Sequence, residues 1–148
     1  NIETIPTIVK KLKNKDKIVF VHENLVEGLS SSHFSPSFIK KYTDADGIIT
    51  LRAQNAYEAR KIGLCTVFRF FLLDSLSYES VKDTIKTTSS DLLEVLPGIM
   101  PKMIGEISKR YPTPLVAGGL IRDKSDVVDA LNAGAIAVSS SNYAVWKM

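Results

Sequence analysis

Short apolar runs that alternate with helix-like segments constrain the fold of this chain more than any other feature. Six runs are almost continuously apolar, which is typical of parallel strands covered on both faces. These runs are residues 17–22, 46–50, 64–73, 91–95, 114–117 and 135–139, and the last of them begin roughly 20–25 residues apart. Repeated strand–helix units imply right-handed crossovers, so the pattern predicts an α/β fold with a parallel sheet.

The segments between the runs carry helix start and stop signals. The segment that follows "PLVAGG" has Asp123 or Ser125 as a candidate N-cap and Gly134 as a candidate C-cap. The segment before it begins with Pro101, a residue that suits the first turn of a helix. These signals support the assignment of helices between the predicted strands.

Two parallel-sheet architectures fit this order of elements. An open doubly wound sheet is one, but the chain has no Gly-x-Gly-x-x-Gly turn at its start and its units are closely spaced. Both features favour a single domain, residues 1–148, with a (β/α)8 TIM-type barrel fold. Six strands are two short of eight, and the chain begins at Asn1 without a methionine. We therefore expect the first two strands of the barrel to be absent from this chain.

The composition is that of a soluble globular protein, with 45 % apolar and 24 % charged residues among 148. No apolar run approaches the ~18 residues of a membrane span, and no signal-peptide pattern opens the chain. One cysteine excludes an internal disulfide. These properties predict a cytoplasmic protein that does not contact a membrane. The net charge of +3 is too small to predict nucleic-acid binding by itself.

Small residues follow the last two predicted strands, where a barrel has its functional face. Glycine lets the backbone approach an anion closely, and serine hydroxyls add donors without bulk. The sequence therefore predicts a phosphate site at these two strand ends, although a strand pair that needs glycine for packing is the alternative. The predicted residues are Gly118, Gly119, Ser139, Ser140, Ser141 and Asn142.

Charged residues at the other strand ends have two interpretations. Arg52 and Arg69 could bind a second anionic group, or they could pair with an internal carboxylate such as Glu94 or Asp74. His22 ends the first predicted strand, where it could act as an acid–base catalyst or as a hydrogen-bonded structural residue.

The catalytic equipment is weak. A Schiff-base enzyme needs a lysine at a strand end, and the lysines here fall on helices, on loops or at the opposite end of a strand. No histidines and carboxylates share metal-ligand spacing. A carboxylate held by an arginine is a poor general base near neutral pH. We therefore expect a binding protein with no catalytic residue, metal or cofactor. The alternative is an isomerase or epimerase that uses Glu94, Asp74 or His22 as its base.

The chain resembles the glycerol uptake operon antiterminator regulatory proteins. The resemblance is carried by "GIITLR", "FRFFLLDS", "DLLEVLPGIMPKMIGEI", "PLVAGGLIR" and "NAGAIAVSSSNYAVW", and it covers nearly the whole chain. It implies a (β/α)8 barrel in which these six strands are the third to the eighth. It also implies that the protein senses glycerol-3-phosphate as its effector and binds leader messenger RNA in bacteria, which prevents premature termination of transcription.

The resemblance also implies roles for individual residues. It places the phosphate near Gly118, Gly119, Ser139, Ser140 and Asn142, and it places Arg52, Arg69 and Glu94 at the mouth of the barrel. The family pattern "VHxDLxxG" appears here as "VHENLVEG", so Asn24 stands where an aspartate is expected. His22 and Asn24 are thereby added to the candidate ligand-binding residues.

Three hypotheses follow from the sequence. The first is an antiterminator whose partners are leader mRNA and a small phosphorylated ligand, with a lysine-rich stretch, Lys10–Lys17, as the candidate RNA-binding surface. The second is a barrel enzyme that acts on a small phosphorylated metabolite. The third is a degenerate barrel that binds only a phosphate ligand or a protein partner. Each hypothesis leaves the oligomeric state open, a homo-oligomer included.

Overall fold

A computed structural model describes residues 1–29 and 32–148, so the Ser-rich segment 30–37 lies partly outside the described residues. Within them the strands are β1 (Phe20–His22), β2 (Gly47–Thr50), β3 (Cys65–Phe71), β4 (Leu92–Leu96), β5 (Leu115–Gly118) and β6 (Ala137–Ser139). The helices are α1 (Ile5–Lys13), α2 (Ser35–Tyr42), α3 (Ala53–Lys61), α4 (Ser75–Thr87), α5 (Pro101–Arg110) and α6 (Lys124–Asn132). Short 3-10 helices cover Glu23–Leu25 and Val145–Lys147. None of the helices formed by these residues is long and apolar enough to cross a membrane.

Every predicted apolar run overlaps a strand, so the α/β class with six parallel strands is confirmed. Four of the strands are shorter than their runs, whereas β4 and β5 have the length of their runs and lie one residue later in the sequence. The run 17–22 forms a strand only from Phe20, and the run 64–73 forms one only over Cys65–Phe71. Apolar residues beyond a strand can still be buried, as Leu72 is, and sequence hydrophobicity does not separate the two cases.

Two compact units divide the chain. The first unit comprises Asn1–Phe68 and Thr88–Asp91, with strands β1 and β2 and most of β3. Its strands run parallel, with Val21 opposite Ile48 and Ile48 opposite Thr66. The core of this unit joins α1, α2 and the strands through side chains that include Val9, Ile39 and Ile48. Each fully buried side chain of this size stabilises the fold by about 1.5–3 kcal/mol relative to exposure.

The second unit comprises Arg69–Thr87 and Leu92–Met148. Strands β4, β5 and β6 lie side by side and parallel, and Gly118 stands opposite Ser139 in the register. Fully buried apolar residues on β4, α5 and β5 form its core, namely Leu93, Val95, Ile104, Ile107, Leu115 and Ala117. The register brings the carboxyl ends of β5 and β6 together, as the sequence predicted for the two small-residue segments.

The ends of α5 and α6 follow their local sequence. Pro101 occupies the first helical position of α5. The side chain of Asp123, rather than Ser125, caps α6 by accepting a hydrogen bond from the backbone N–H of Asp126 (3.0 Å). The C-cap is Ala133, and Gly134 follows it with a φ of +112°, one residue beyond the predicted position. Glycine suits that position because L-residues rarely adopt such a φ.

Candidate phosphate-binding site

A cavity of about 400 Å³ opens in the second unit, at the carboxyl ends of its strands. It is lined by predicted site residues, namely Arg69, Glu94, Gly119, Ser139, Ser140, Ser141 and Asn142. It is also lined by residues that were not predicted to belong to the site, namely Leu96, Leu120, Ile121 and Arg122. A volume of this size is within the range of small-molecule sites.

The two glycines after β5 have different roles. A Cβ atom built on Gly118 would lie 2.5 Å from Oε1 of Glu94, so this residue must be glycine for the Glu94 side chain to pack. Gly119 has a φ of +76°, and a Cβ there would lie 3.2 Å from Cδ2 of Leu96. The packing interpretation therefore explains Gly118, whereas Gly119 is required by the left-handed turn that lines the cavity.

The turn continues with Leu120, which also has a positive φ, +62°. A leucine in the left-handed region costs roughly 1–2 kcal/mol, and strained residues of this kind cluster at functional sites. Consecutive left-handed residues turn the chain sharply, so that residues 119–122 all line the cavity. A leucine carries no sequence signal for this conformation, which is why Leu120 was not predicted.

Hydrogen bonds join this turn to the loop after β6. The hydroxyl of Ser140 donates to the carbonyl oxygen of Ile121 (2.8 Å) and accepts from the backbone N–H of Asn142 (3.1 Å). The amide of Asn142 donates to the carbonyl oxygen of Arg122 (2.8 Å). Ser140 and Asn142 therefore hold the two cavity-lining segments together.

Arg69 and Glu94 form a bidentate ion pair in the wall of the cavity. Nε of Arg69 lies 2.7 Å from Oε2 of Glu94, and Nη2 lies 3.1 Å from Oε1. The side chain of Glu94 is 2 % exposed and that of Arg69 is 16 % exposed. A guanidinium has five N–H donors in a fixed fork, so this pair fixes the arginine while leaving donors for a second anion. The ion pair that the sequence analysis considered is present, with Glu94 as the carboxylate.

Asp74, the other candidate partner and base, lies at the start of α4. Its Oδ1 accepts a hydrogen bond from the backbone N–H of Ser77 (2.7 Å), and the backbone N–H of Asp74 donates to the hydroxyl of Ser77 (3.0 Å). This reciprocal pair is typical of a helix N-terminus, where a side-chain oxygen satisfies a backbone donor. The contacts of Asp74 thus indicate a capping role.

The remaining predicted residues belong to the first unit. The side-chain oxygen of Asn24 accepts from the backbone N–H of Leu51 (3.0 Å), an acceptor role that an aspartate could also fill. Arg52 precedes α3, and its backbone N–H donates to the hydroxyl of Thr50 (3.0 Å). His22 ends β1 and is half-buried. The participation of these three residues in ligand binding stays a prediction.

Glu23 is a buried carboxyl group that was not among the predicted site residues. It is fully buried, and its Oε1 accepts hydrogen bonds from Nδ2 of Asn55 (2.7 Å) and from the hydroxyl of Thr50. Its Oε2 has no hydrogen-bond partner among residues 1–29 and 32–148. Burial raises the pKa of Glu23, although the two hydrogen bonds and the charge of Arg52 oppose that rise. The available signal was its position directly after β1.

The lysine-rich stretch Lys10–Lys17 begins in the last turn of α1. One of its lysines, Lys13, makes an ion pair with Asp46, and its Nζ lies 2.7 Å from Oδ1 and 2.8 Å from Oδ2 of that carboxylate. Asp46 also accepts from the backbone N–H of Val19 (2.7 Å). Lys13 therefore has a structural contact, and the role of the stretch in RNA binding stays a prediction.

Comparison with known proteins identifies relatives of this chain. The chain is 40 % identical over 148 residues to the uncharacterized protein YgcP of Escherichia coli, covering all of this chain and 78 % of YgcP. A glycerol uptake operon antiterminator regulatory protein from Listeria monocytogenes is 30 % identical, with a TM-score of 0.95 over 99 % of this chain and 79 % of that one. A glycerol uptake operon antiterminator-related protein from Thermotoga maritima is 36 % identical, with a TM-score of 0.88 over 100 % and 84 %.

More distant structures define the fold. Orotidine 5'-phosphate decarboxylase from Pyrococcus horikoshii is 16 % identical, with a TM-score of 0.71 over 95 % of this chain and 72 % of that one. The arrangement of strands and helices therefore resembles that of TIM-barrel proteins. The family described as glycerol-3-phosphate responsive antiterminators matches residues 1–146. The family model and both antiterminator structures each match nearly the whole chain. This chain therefore belongs to the glycerol-3-phosphate responsive antiterminator family.

Proposed function

We propose that this protein is a cytoplasmic transcription antiterminator that binds glycerol-3-phosphate and the leader mRNA of glycerol-utilisation genes, and that it catalyses no reaction. The observation that carries the proposal is the cavity in which Arg69, fixed by Glu94, shares one lining with the turn 119–122 and the loop 139–142. We also propose that the six strands are the third to the eighth of a (β/α)8 barrel.

The phosphate of the effector fits the polar lining of the cavity. Arg69 retains N–H donors that Glu94 does not use, and a second arginine, Arg122, also lines the cavity. Backbone N–H groups of a left-handed turn and small hydroxyl side chains bind phosphate oxygens in many proteins. Ser139 and Ser141 supply such hydroxyls in this cavity. The remaining volume suits a three-carbon polyol.

A binding protein becomes a switch when the ligand prefers one of two conformations. The turn after β5 and the loop after β6 both line the cavity and are joined by the hydrogen bonds of Ser140 and Asn142. A phosphate that contacts both segments would favour the joined arrangement. In this proposal, the joined arrangement is the one that engages RNA.

The contacts of Glu94 favour binding over catalysis. Both of its oxygens accept hydrogen bonds from Arg69, so the carboxylate is held as an ion pair rather than poised to remove a proton. An isomerase or epimerase acting on a phosphorylated metabolite remains the alternative from the sequence. Turnover of a phosphorylated triose that is abolished by Glu94→Gln would support that alternative over an antiterminator.

The test combines a ligand titration with an RNA-binding measurement. Glycerol-3-phosphate, glycerol and inorganic phosphate are titrated separately while the melting temperature is recorded, and leader RNA retention is then measured at low salt with and without glycerol-3-phosphate. We expect stabilisation by glycerol-3-phosphate and a change in RNA retention. No stabilisation and no RNA retention would contradict the proposal.

Two site variants, one at Arg69 and one at Gly119, locate the ligand. Arg69→Lys keeps the charge but loses the planar fork, so we expect glycerol-3-phosphate affinity to fall about tenfold or more. Arg110→Lys is the matched control, because Arg110 is exposed and lies 3.6 Å from Glu106 on the same helix. Gly119→Val places a side chain on the left-handed turn and should also prevent binding. Unchanged affinity in both site variants would place the phosphate elsewhere.

A further inference from the structure

Two exposed aromatic residues and a lysine follow directly after the cavity-lining loop. Tyr143 and Trp146 are 62 % and 66 % exposed, and their ring centroids lie 5.5 Å apart with the rings edge to face. Nζ of Lys147 lies 4.6 Å from the centroid of the Tyr143 ring. We call Tyr143, Trp146 and Lys147 the aromatic patch. Exposed rings beside a cation have the chemistry that binds unpaired nucleotides, since bases stack on the rings and the cation attracts phosphates.

A hydrogen bond joins this patch to the candidate phosphate site. Nε1–H of Trp146 donates to the carbonyl oxygen of Ser140 at 2.7 Å. The hydroxyl of the same serine donates to Ile121 in the turn across the cavity. The position of the indole ring is therefore set by the residue that also joins the two cavity-lining segments.

We propose that the aromatic patch stacks on unpaired bases of the leader RNA, and that glycerol-3-phosphate controls this contact through the bond between Trp146 and Ser140. The inference rests on the proposed function and names the RNA-binding surface and its coupling to the effector. A ligand that fixes the loop 139–142 also fixes the acceptor of the Trp146 N–H. The ring is then held in the orientation that a base can stack on, so ligand binding lowers the ordering cost of RNA binding.

The pairing of a lysine with a tyrosine does not by itself identify this surface. Tyr57 and Lys61 on α3 form a similar pair, with Nζ 5.1 Å from the ring centroid. The aromatic patch differs because it adds a second exposed ring and is bonded to Ser140 of the cavity.

The charge and the rings together favour single-stranded RNA as the occupant. Lys147 matches the charge of an RNA backbone, and each exposed ring offers a face on which an unpaired base can stack. The stretch Lys10–Lys17, the candidate surface from the sequence, contains no aromatic residue of its own. That composition supports general electrostatic attraction, whereas the aromatic patch can also supply stacking.

The experiment measures the affinity of the protein for a fluorescent leader RNA by anisotropy, at one fixed salt concentration, with and without saturating glycerol-3-phosphate. We expect Trp146→Ala and Tyr143→Leu each to weaken binding by about five- to a hundredfold. Tyr57→Leu is the matched control and should bind as the wild type does. Circular dichroism confirms that each variant is folded, and Tyr143→Leu keeps a bulky apolar side chain if Trp146→Ala is unstable.

A third variant separates stacking from coupling. Trp146→Phe keeps an aromatic face but cannot donate to Ser140, so we expect the ratio of RNA affinities with and without glycerol-3-phosphate to fall towards one. An unchanged ratio would overturn the coupling.

The outcomes distinguish this inference from the proposed function. If the wild-type protein retains leader RNA but both Tyr143→Leu and Trp146→Ala bind equally well, the RNA surface lies elsewhere and only this inference fails. A change in sedimentation of Tyr143→Leu in that case would assign the patch to contacts between copies of the chain. If the wild-type protein does not retain leader RNA at all, the proposed function fails and this inference fails with it.

Discussion

Two buried carboxylates, Glu94 in the middle of β4 and Glu23 directly after β1, are accommodated in opposite ways. Glu94, in the second unit, receives hydrogen bonds on both oxygens from the guanidinium of Arg69. Glu23, in the first unit, receives two neutral donors on one oxygen, while its Oε2 has no hydrogen-bond partner in the part of the chain that the structure describes. The charge of Glu94 is therefore compensated and serves to fix an arginine, whereas the charge of Glu23 is costly and its pKa is raised by burial. Glu94 therefore stabilises the position of Arg69, whereas the buried charge of Glu23 destabilises the folded protein.

Removing the compensated carboxylate should have the largest effect. Glu94→Ala leaves the guanidinium of Arg69, which is 16 % exposed, without its counter-ion, and breaking a buried pair costs about 3–5 kcal/mol. Urea denaturation measures the loss. The control is Asp83→Ala, which removes an exposed ion pair with Lys86 (3.2 Å) and should change stability by less than about 1 kcal/mol. Equal losses in the two variants would show that the buried pair is not stabilising.

Crowding the same carboxylate should have the next largest effect. Gly118→Ala places a Cβ 2.5 Å from Oε1 of Glu94, and such overpacking typically costs about 1–3 kcal/mol. Gly105→Ala is the control. Gly105 lies within helix α5, and a Cβ atom there would meet only the carbonyl oxygen of Ala133, at an ordinary contact distance of 3.5 Å. Alanine is favoured over glycine in helices by up to about 1 kcal/mol, so the control should stabilise the protein. Thermal denaturation that gives the same sign for both variants would contradict the packing role of Gly118.

Neutralising the uncompensated carboxylate should stabilise the protein. Glu23→Gln keeps an oxygen for Thr50 and Asn55 and removes the buried charge, so we expect a gain of about 1 kcal/mol at pH 7. The pKa of Glu23 is raised above 4.5, so the folded protein binds the proton more tightly than the unfolded chain, and wild-type stability falls as pH rises through this range. The gain should therefore shrink as pH falls towards 4.5. A stability gain that does not depend on pH would show that the gain does not come from removing the charge of Glu23.

Replacing Asp46 should have the smallest effect on stability, and the dependence of that effect on pH should be opposite to that expected for Glu23. Hydrogen bonds from Lys13 and from the backbone of Val19 lower the pKa of Asp46 below 3.8. Its contribution to stability is therefore present above pH 3.8 and is lost as pH falls through the lowered pKa. Asp46→Asn should destabilise the protein slightly at pH 7 and converge with the wild type in acid. Denaturation at several pH values measures the difference, and a difference that persists in acid would contradict the ionic origin.

Local patterns in the sequence were sufficient to predict the strands and the proximity of the ends of β5 and β6. Apolar runs located all six strands, and small residues after β5 and β6 marked the segments that line the cavity. The sequence left the partner of Glu94 open between Arg52 and Arg69, and it did not predict the partners of Glu23. Arg69 lies 25 residues from Glu94 in sequence, and Glu23 lies 27 and 32 residues from Thr50 and Asn55. Such partners depend on strand register, which hydrophobicity does not fix for strands buried on both faces.

Ser140 has a consequence for the local dynamics of the protein. Four hydrogen bonds, three of them made by Ser140, join the turn at 121–122, the loop at 140–142 and the 3-10 helix Val145–Lys147. Segments that share their bonds in this way open together rather than one at a time. The backbone amides of these three segments should therefore exchange with deuterium as one cooperative unit, and a single serine sets how often that unit opens.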